Sequence, residues 1–345
     1  MAPKQKGNVD IVAVAKAAKV SPSTVSRTFN HPNLVSPATR KKITRAVQKL
    51  GYVRNRAAQM MHGKRSGTIG LVVPTINHAI FAEVIQAFSD AIDRAGFTLL
   101  LASHGYDLER EYEMVRKLME HRVDGVALIG LEHSQATSRL IAQQETPAMA
   151  IWNYAEESEL PCVGADNRLA GRMAAEHLVA LGHRDIGLIF PDTRGNDRAR
   201  HRLEAVLETL EAAGVAVPEG RKSEAPYSVS QAKQAALALL SAPSRPSALL
   251  CGNDVIAQGA LYAAQRCGLQ VPEQLSVIGI GDFKGSAEIE PGLTTVRIPA
   301  GTIGTLAGEQ FTAFITADEP APFRICCEPE HIVRGTTALA GSKTN

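Results

Sequence analysis

Residues 20–30 read VSPSTVSRTFN. Ser21 is a strong helix-capping residue, and Pro22 sits where the first N–H of a helix lacks a partner anyway, so a helix begins here. Val25 and Phe29 stand four residues apart and share one face. Ser23, Thr24, Ser26 and Arg27 cover the other. A helix this short is not stable by itself and must pack against neighbours. The sequence supplies two. Asp10 caps a helix through IVAVAKAA, with Val12, Ala15 and Ala18 on or near one face. Ser36-Pro37 repeats the cap-and-proline start for ATRKKITRAVQKL, which Gly51 ends and in which Ile43, Val47 and Leu50 form the buried stripe. Two helices joined by a tight turn, with a third closing a small core, make a helix-turn-helix unit.

Charge points the same way. Residues 1–65 hold fourteen Lys and Arg against one acid, Asp10, whereas the rest of the chain holds 23 bases against 34 acids. The net charge of +2 hides this segregation. A basic, helical head on an acidic body predicts a polyanion-binding module, and with this pattern the polyanion is double-stranded DNA. The helix over 22–30 then enters the major groove by its N-terminal residues. Arg27 reads a base edge, since a guanidinium can bridge guanine O6 and N7. Pro22 and small Ser23 allow close approach. Thr24, Ser26, Asn30, Thr39 and Tyr52 are suited to phosphate, which positions the head without specifying sequence.

The chain has 345 residues, enough for several domains, and its composition (45% hydrophobic, 21% charged) is that of a soluble globular protein. The start, MAPKQKGNVD, has no apolar core of an export signal, and no apolar run is long enough to span a membrane. Five scattered cysteines, with no C-x-x-C, are expected to be reduced thiols in a cytoplasmic protein rather than a disulfide or zinc framework.

Several segments together resemble one family. AVAKAAKVSPSTVSRTFN, VSPATRKKI, LGYVRNRAAQMM and IGLVVP are similar to the lactose-repressor/galactose-repressor (LacI/GalR) family of bacterial transcription regulators, over about residues 9–337. Two positions depart from the family pattern. Ala13 stands where Asp is usual, and Lys19 stands in a turn that usually holds Gly. A positive-φ turn costs a non-glycine residue on the order of 1 kcal/mol. The resemblance implies that residues 54–65, RNRAAQMMHGKR, form a hinge that folds on DNA, with Asn55, Ala58 and Met61 at the duplex. Met61 stands where the family places a leucine that wedges into the minor groove, and an apolar wedge there kinks DNA.

From residue 67 the pattern becomes strand–helix alternation. TIGLVVP, FTLLLA, VDGVALIG, PAMAIW, DIGLIF, SALLCGN and LSVIGI are apolar strand candidates with amphipathic helices between them. This predicts α/β architecture with parallel sheets covered on both faces, of a length that fits two doubly wound lobes. The resemblance implies a periplasmic-binding-protein-like body of type I. It implies lobe 1 at 66–161 with 293–322, lobe 2 at 162–292 with 323–337, and a tail at 338–345. The chain would cross between lobes near Ala165, Gly292 and Pro320.

Ligands of open α/β sheets bind beyond the carboxyl ends of the strands. Residues there include Tyr106, His133, Trp152, the stretch from Asp192 to Arg202, Asn253, Asp254 and Asp282. Their guanidinium, amide, carboxylate and aromatic groups suit a hydroxylated or carboxylated small molecule. The resemblance implies that Arg202 holds the effector, that Asn253 and Asp254 form a family N-D pair, and that Phe81 covers the ligand. Asp166 and Asp254 are equally suited to capping helices. GYDLEREYE, GLEH, WN and GIGDF are more similar to gluconate-type repressors, so a sugar acid such as gluconate or a ketogluconate is expected, its carboxylate held by Arg202 with His133. A neutral sugar or a nucleoside or purine is the alternative.

No nucleophile elbow, phosphate-binding loop, metalloprotease motif or dinucleotide fingerprint is present, so neither enzyme, cofactor nor metal is expected. A free solute-binding protein would share the body but has no use for the basic head. The expectation is a homodimeric regulator on a pseudo-palindromic operator, paired through its body lobes.

Overall fold

The structure, a computed structural model, describes residues 9–53, 65–77 and 79–341. The chain divides into two compact units between Ser66 and Gly67. The expected hinge residues Asn55, Ala58 and Met61 lie outside the described residues.

In the head, α1 (Ile11–Ala18), α2 (Pro22–Asn30) and α3 (Pro37–Leu50) are capped by Asp10, Ser21 and Ser36, whose side chains accept the backbone N–H three residues on. Val14, Ala15, Ala18, Val25, Ile43 and Ala46 form its core, with Phe29, Val47 and Leu50 packed at the margin. Val12 is 56% exposed; Val14 instead joins Ala15 and Ala18 on the buried face, since it stands one turn before Ala18. Lys19 adopts the left-handed conformation, φ 55°. Its N–H donates to Lys16 O and that of Val20 to Ala15 O, closing α1 with the paired bonds that a glycine normally supports.

The body contains two six-stranded sheets. The first has the order β11-β5-β4-β3-β1-β2 and is parallel throughout. Its strands are β1 (Thr68–Val73), β2 (Thr98–Ser103), β3 (Val126–Ile129), β4 (Ala148–Asn153), β5 (Cys162–Ala165) and β11 (Arg324–Cys326). The second has the order β12-β10-β9-β8-β6-β7, parallel except for β12 against β10. It consists of β6 (Ile186–Phe190), β7 (Lys222–Glu224), β8 (Ala248–Cys251), β9 (Ser276–Gly281), β10 (Thr294–Arg297) and β12 (Glu330–Ile332).

Helices cover both faces of each sheet, which is why the central strands are buried at nearly every position. On the first sheet, α4 (Ala79–Arg94) and α11 (Ala300–Thr316) bring Phe88, Ile92, Ile303 and Phe311 to one face. There α5 (Leu108–Glu120) and α6 (Gln135–Gln143) bring Val115, Leu118 and Ile141 to the other. On the second, α7 (Asn167–Ala180) and α8 (Asp197–Ala212) supply Ala174, Leu178, Val206 and Leu210. Its opposite face packs against α9 (Val229–Leu240) and α10 (Asp254–Arg266), through Ala236, Leu239, Ile256 and Ala260.

The lobe boundaries differ from those expected. Cys162–Ala165 and Arg324–Cys326 pair in the first sheet, not the second, and Thr294–Arg297 pairs in the second, not the first. The chain therefore crosses after Ala165, after Arg297 and after Cys326, rather than near Gly292 and Pro320. These strands have three or four residues, too few for periodicity to assign them to a sheet.

Candidate functional site: DNA-reading helix and interlobe cleft

On α2, Pro22, Ser23 and Arg27 are exposed, and Thr24, Ser26 and Asn30 are half-buried. Thr24 Oγ1 lies 2.8 Å from Ser21 Oγ, and Asn30 Nδ2 donates to Ser26 Oγ at 3.2 Å. These bonds fix the polar side chains in one row along the helix. Thr39 lies at the start of α3; its N–H donates to Ser36 Oγ, and its hydroxyl oxygen accepts from Ser36 Oγ. Tyr52 is half-buried against Phe29, with ring centres 6.3 Å apart. Among the described residues, no Lys or Arg of 9–53 forms an ion pair. Among the described residues, the cations of 9–53 are thus not neutralised by ion pairs within the protein.

In the body, the strand ends of the two lobes face one another and are tied together by polar groups. Asp197, first residue of α8 in lobe 2, accepts the Leu131 N–H at 2.7 Å and the Asn153 amide at 2.6 Å, both from lobe 1. Its other oxygen pairs with Arg198 at 2.9 Å, and Arg198 also donates to Ile129 O at 3.2 Å. Arg200 reaches Glu132 at 2.8 Å. Gly130 makes the contact possible: φ is 98°, and a Cβ there would overlap Arg198. Burial alone would raise the Asp197 pKa, but the Arg198 charge and the Leu131 N–H, with His201 and Asn153, hold it below the ordinary carboxylate value.

Beneath these ties lies a cavity of about 20 Å³, lined by Phe81, Tyr106, Trp152, Arg198, Arg202, Tyr227, Asn253, Gly281, Phe283 and Ile298. Tyr106 and Tyr227, ring centres 5.9 Å apart, separate it from an outer opening of about 690 Å³. The inner space has room for about one or two water molecules, far less than a sugar acid needs. Phe81 and Trp152 meet edge to face at 5.8 Å. Trp152 has φ 87°, a strained conformation for a bulky residue at a strand end, and it is 3% exposed. Arg202 donates to Arg198 O and Gly252 O. Its burial, first, and the Arg198 charge lower its pKa. A Cβ at Gly171 would overlap the Arg202 backbone, so α7 can approach α8 this closely only with glycine there.

Five expected effector residues therefore converge: Phe81, Tyr106, Trp152, Arg202 and Asn253. Three do not line the cavity. Asp254 turns into lobe 2, where it accepts bonds from Thr295 Oγ1 (2.6 Å), Ser286 Oγ (2.7 Å) and the Phe283 N–H (2.9 Å). Asn253, not Asp254, caps α10, while Asp166 caps α7. Asp282 is held by Arg297 and Arg334, both at 2.7 Å. His133 does not stand beside Arg202 in the cavity; its Nδ1 lies 3.1 Å from the buried Glu111 carboxylate. It borders a separate groove of about 650 Å³ in lobe 1, with Leu131, Ile141 and Leu160. The second cavity cation is Arg198, named in sequence only within a stretch, and Tyr227 was not foreseen. Tyr227 follows the edge strand β7, whose sequence KSE carries no apolar signal.

Comparison with known proteins places these features. Residues 10–55 match the family described as bacterial regulatory proteins, lacI family, and residues 175–337 match a periplasmic binding protein-like domain. The chain is 30% identical over 327 residues to the HTH-type transcriptional repressor PurR of Escherichia coli, covering 94% of this chain and 96% of that protein. It resembles the lac repressor dimer bound to operator and the anti-inducer ONPF, with a TM-score of 0.83, 26% identity and coverage of 96% and 99%. The transcription regulator GntR from Chromobacterium violaceum matches with a TM-score of 0.73, 29% identity and coverage of 78% and 99%. Among the described residues no helix is long and apolar enough to cross a membrane. The chain belongs to the lacI family of bacterial regulatory proteins, as a DNA-binding transcriptional repressor and not an enzyme.

Proposed function

We propose that this repressor answers an anionic, hydroxylated effector, a sugar acid of the gluconate or ketogluconate class, bound in the cleft between its lobes. The charge balance of the cavity carries this reading. Arg198 and Arg202 are both buried there, and Asp197 is the carboxylate that faces them. Asp254 and Asp282, which would otherwise balance the second cation, are engaged elsewhere. An uncompensated buried guanidinium favours a ligand that brings its own carboxylate. The aromatic walls suit sugar C–H faces, and Asn253 suits hydroxyls.

The regulator acts as a homodimer on a pseudo-palindromic operator. A helix of nine residues reads one half-site, and two are needed for a specific site. Leu101 on edge strand β2 and Tyr262 on α10 are 42% and 45% exposed, one on each lobe, and a second copy would cover both. Pro22, Ser23, Thr24, Ser26, Arg27, Asn30, Thr39 and Tyr52 contact DNA, with Arg27 reading a base. Asn55, Ala58 and Met61 complete the contact at the operator centre. Effector binding shifts the population of lobe arrangements, and operator affinity follows because those arrangements bind DNA unequally.

Calorimetric titration of the full chain with gluconate, 2-ketogluconate, galactose, ribose and a purine tests the effector class. Sugar acids bind and neutral sugars do not; binding only neutral sugars or the purine overturns the assignment. Footprinting on the upstream region of its own gene, with and without the bound acid, gives the operator and the sense of the response.

A further inference from the structure

The cleft consists of two spaces of unlike size that meet at one pair of rings. Tyr106 and Tyr227 line both the inner cavity of about 20 Å³ and the outer opening of about 690 Å³. The inner space takes about one or two water molecules, which is also about the bulk of a single carboxylate group. A whole sugar acid does not fit there. The outer opening has room for the rest of such a molecule.

The polar groups divide along the same line. Arg198 and Arg202 line the inner space and not the outer. Arg198 Nη1 donates to Ile129 O and Asp197 Oδ1, while its buried Nη2 has no partner. Arg202 donates from Nε to Arg198 O and from Nη1 to Gly252 O, and no partner takes its Nη2 among the described residues. Two guanidinium nitrogens that can only donate match the two oxygens of a carboxylate. The Tyr106 hydroxyl lies within electrostatic reach of both arginines. The outer opening has the opposite character. Its Arg194 is already held by Asp192. Asp107 Oδ1 accepts the N–H groups of Glu109 and Arg110, and Oδ2 has no partner among the described residues. The charge left over in the opening is therefore a carboxylate, which repels a second carboxylate and accepts from hydroxyl groups.

Size and charge together set a direction. An acid head is favoured inside and a hydroxyl-bearing body outside, and whatever joins them crosses at the two tyrosines, whose ring centres are 5.9 Å apart. One ring turning aside, a side-chain adjustment that binding commonly brings, admits a chain one carbon wide and not a pyranose. In an open-chain aldonate the carboxylate is carried on such a chain. In a cyclic uronate it is fixed directly to the ring, which would then have to lie between Tyr106 and Tyr227. We propose that the effector binds lengthwise, its carboxylate on Arg198 and Arg202 in the inner cavity and its hydroxyl chain running past Tyr106 and Tyr227 to Asp107 in the outer opening, so that open-chain aldonates are selected over cyclic uronates. This rests on the cleft being the effector site.

The test is titration of the full chain with D-gluconate, its uncharged amide D-gluconamide, the shorter aldonate D-erythronate and the cyclic acid D-glucuronate. Binding is followed by calorimetry and by the emission of Trp152, the single tryptophan of the chain and a wall of the inner cavity. The wild type should bind gluconate with a change in emission, and both gluconamide and glucuronate at least about tenfold more weakly. Asp107→Asn keeps a helix-capping side chain and removes the charge from the opening. It should weaken gluconate about three- to tenfold, the worth of one hydrogen bond, and leave erythronate, whose chain stops short of the opening, unchanged. Equal affinity for gluconate and glucuronate overturns the inference and leaves the cleft reading standing. So does an Asp107→Asn variant that binds gluconate as the wild type does, or that loses affinity equally for both aldonates, the mark of a merely structural role. Failure of the wild type to bind any of the acids defeats the cleft reading itself.

Discussion

Asp197 Oδ2 of the second lobe lies 2.6 Å from Asn153 Nδ2 of the first, and the same oxygen accepts the Leu131 N–H at 2.7 Å. One carboxylate thus binds the two lobes together and neutralises Arg198. Asp197→Ala should leave Arg198 buried without its counterion, and two lobe-1 donors unpaired. We expect a loss of about 3–5 kcal/mol in urea unfolding, as for breaking a buried ion pair. Small-angle scattering of the variant should report a more open body. An unchanged midpoint and scattering profile would show that closure depends on other contacts.

Arg27 is exposed on α2, and no acidic side chain pairs with it among the described residues. Arg27→Ala should cost about 1–3 kcal/mol on the operator and relax the base preference at one position of each half-site. A binding selection on randomised half-sites measures this. Equal weakening on every sequence would show that Arg27 touches only phosphate.

Lys19 closes α1 with φ 55° and ψ 49°, the geometry that glycine adopts without strain. Lys19→Gly should therefore raise the thermal stability of the head by about 0.5–1 kcal/mol. If the ammonium also meets a phosphate, the slope of log affinity against log salt should fall by about 1. Higher stability with an unchanged slope would mean that the lysine contributes strain and no contact.

The head was legible because its signals are local. Asp10, Ser21-Pro22, Ser36-Pro37 and Gly51 each announce a helix end within a few residues, and each cap forms. The seven strands β1 to β4, β6, β8 and β9 were legible for the same reason, each lying in a local apolar run. The other five were not: for β5, β10, β11 and β12 the sheet is decided by partners, some far along the chain, and β7 (KSE) carries no apolar signal. The cleft was legible by position, since strand ends face it, but not by orientation. Asp254 and Asn253 are adjacent, yet only Asn253 lines the cavity, because the helix turn points Asp254 toward Thr295 and Ser286. Arg198 stands one turn before Arg202 on the same face of α8, but only the fold shows that this face borders the cavity.

Asp254 is buried, and burial raises its pKa despite the bonds from Thr295, Ser286 and Phe283. It fastens the loop after β9 to α10 and β10 within one lobe. Asp254→Ala should therefore cost about 2–4 kcal/mol of stability, the sum expected for three buried bonds partly relieved by relaxation. At temperatures where the variant remains folded, its effector affinity should change less than threefold. A large loss of affinity in a folded variant would return Asp254 to the ligand site.

His177 on α7 donates to or accepts from Thr337 Oγ1 at 2.9 Å and packs edge to face on His331, with ring centres 4.4 Å apart. Burial, and then the charges of His331 and His183, lower its pKa to about 4. The ring is neutral in the folded protein at pH 7, and the unfolded chain titrates near 6.5. Above that value neither state binds the proton, and this contribution to stability is complete. As pH falls from 6.5 through about 4, the unfolded state takes a proton that the folded state refuses, so stability declines. Partial exposure of the ring limits the effect to about 2 kcal/mol. His177→Gln keeps a polar group for Thr337 and does not titrate. Urea midpoints measured from pH 7.5 down to 4.5 should therefore fall more steeply for the wild type than for the variant. A constant gap between the two across that range would mean that His177 titrates normally in the folded protein.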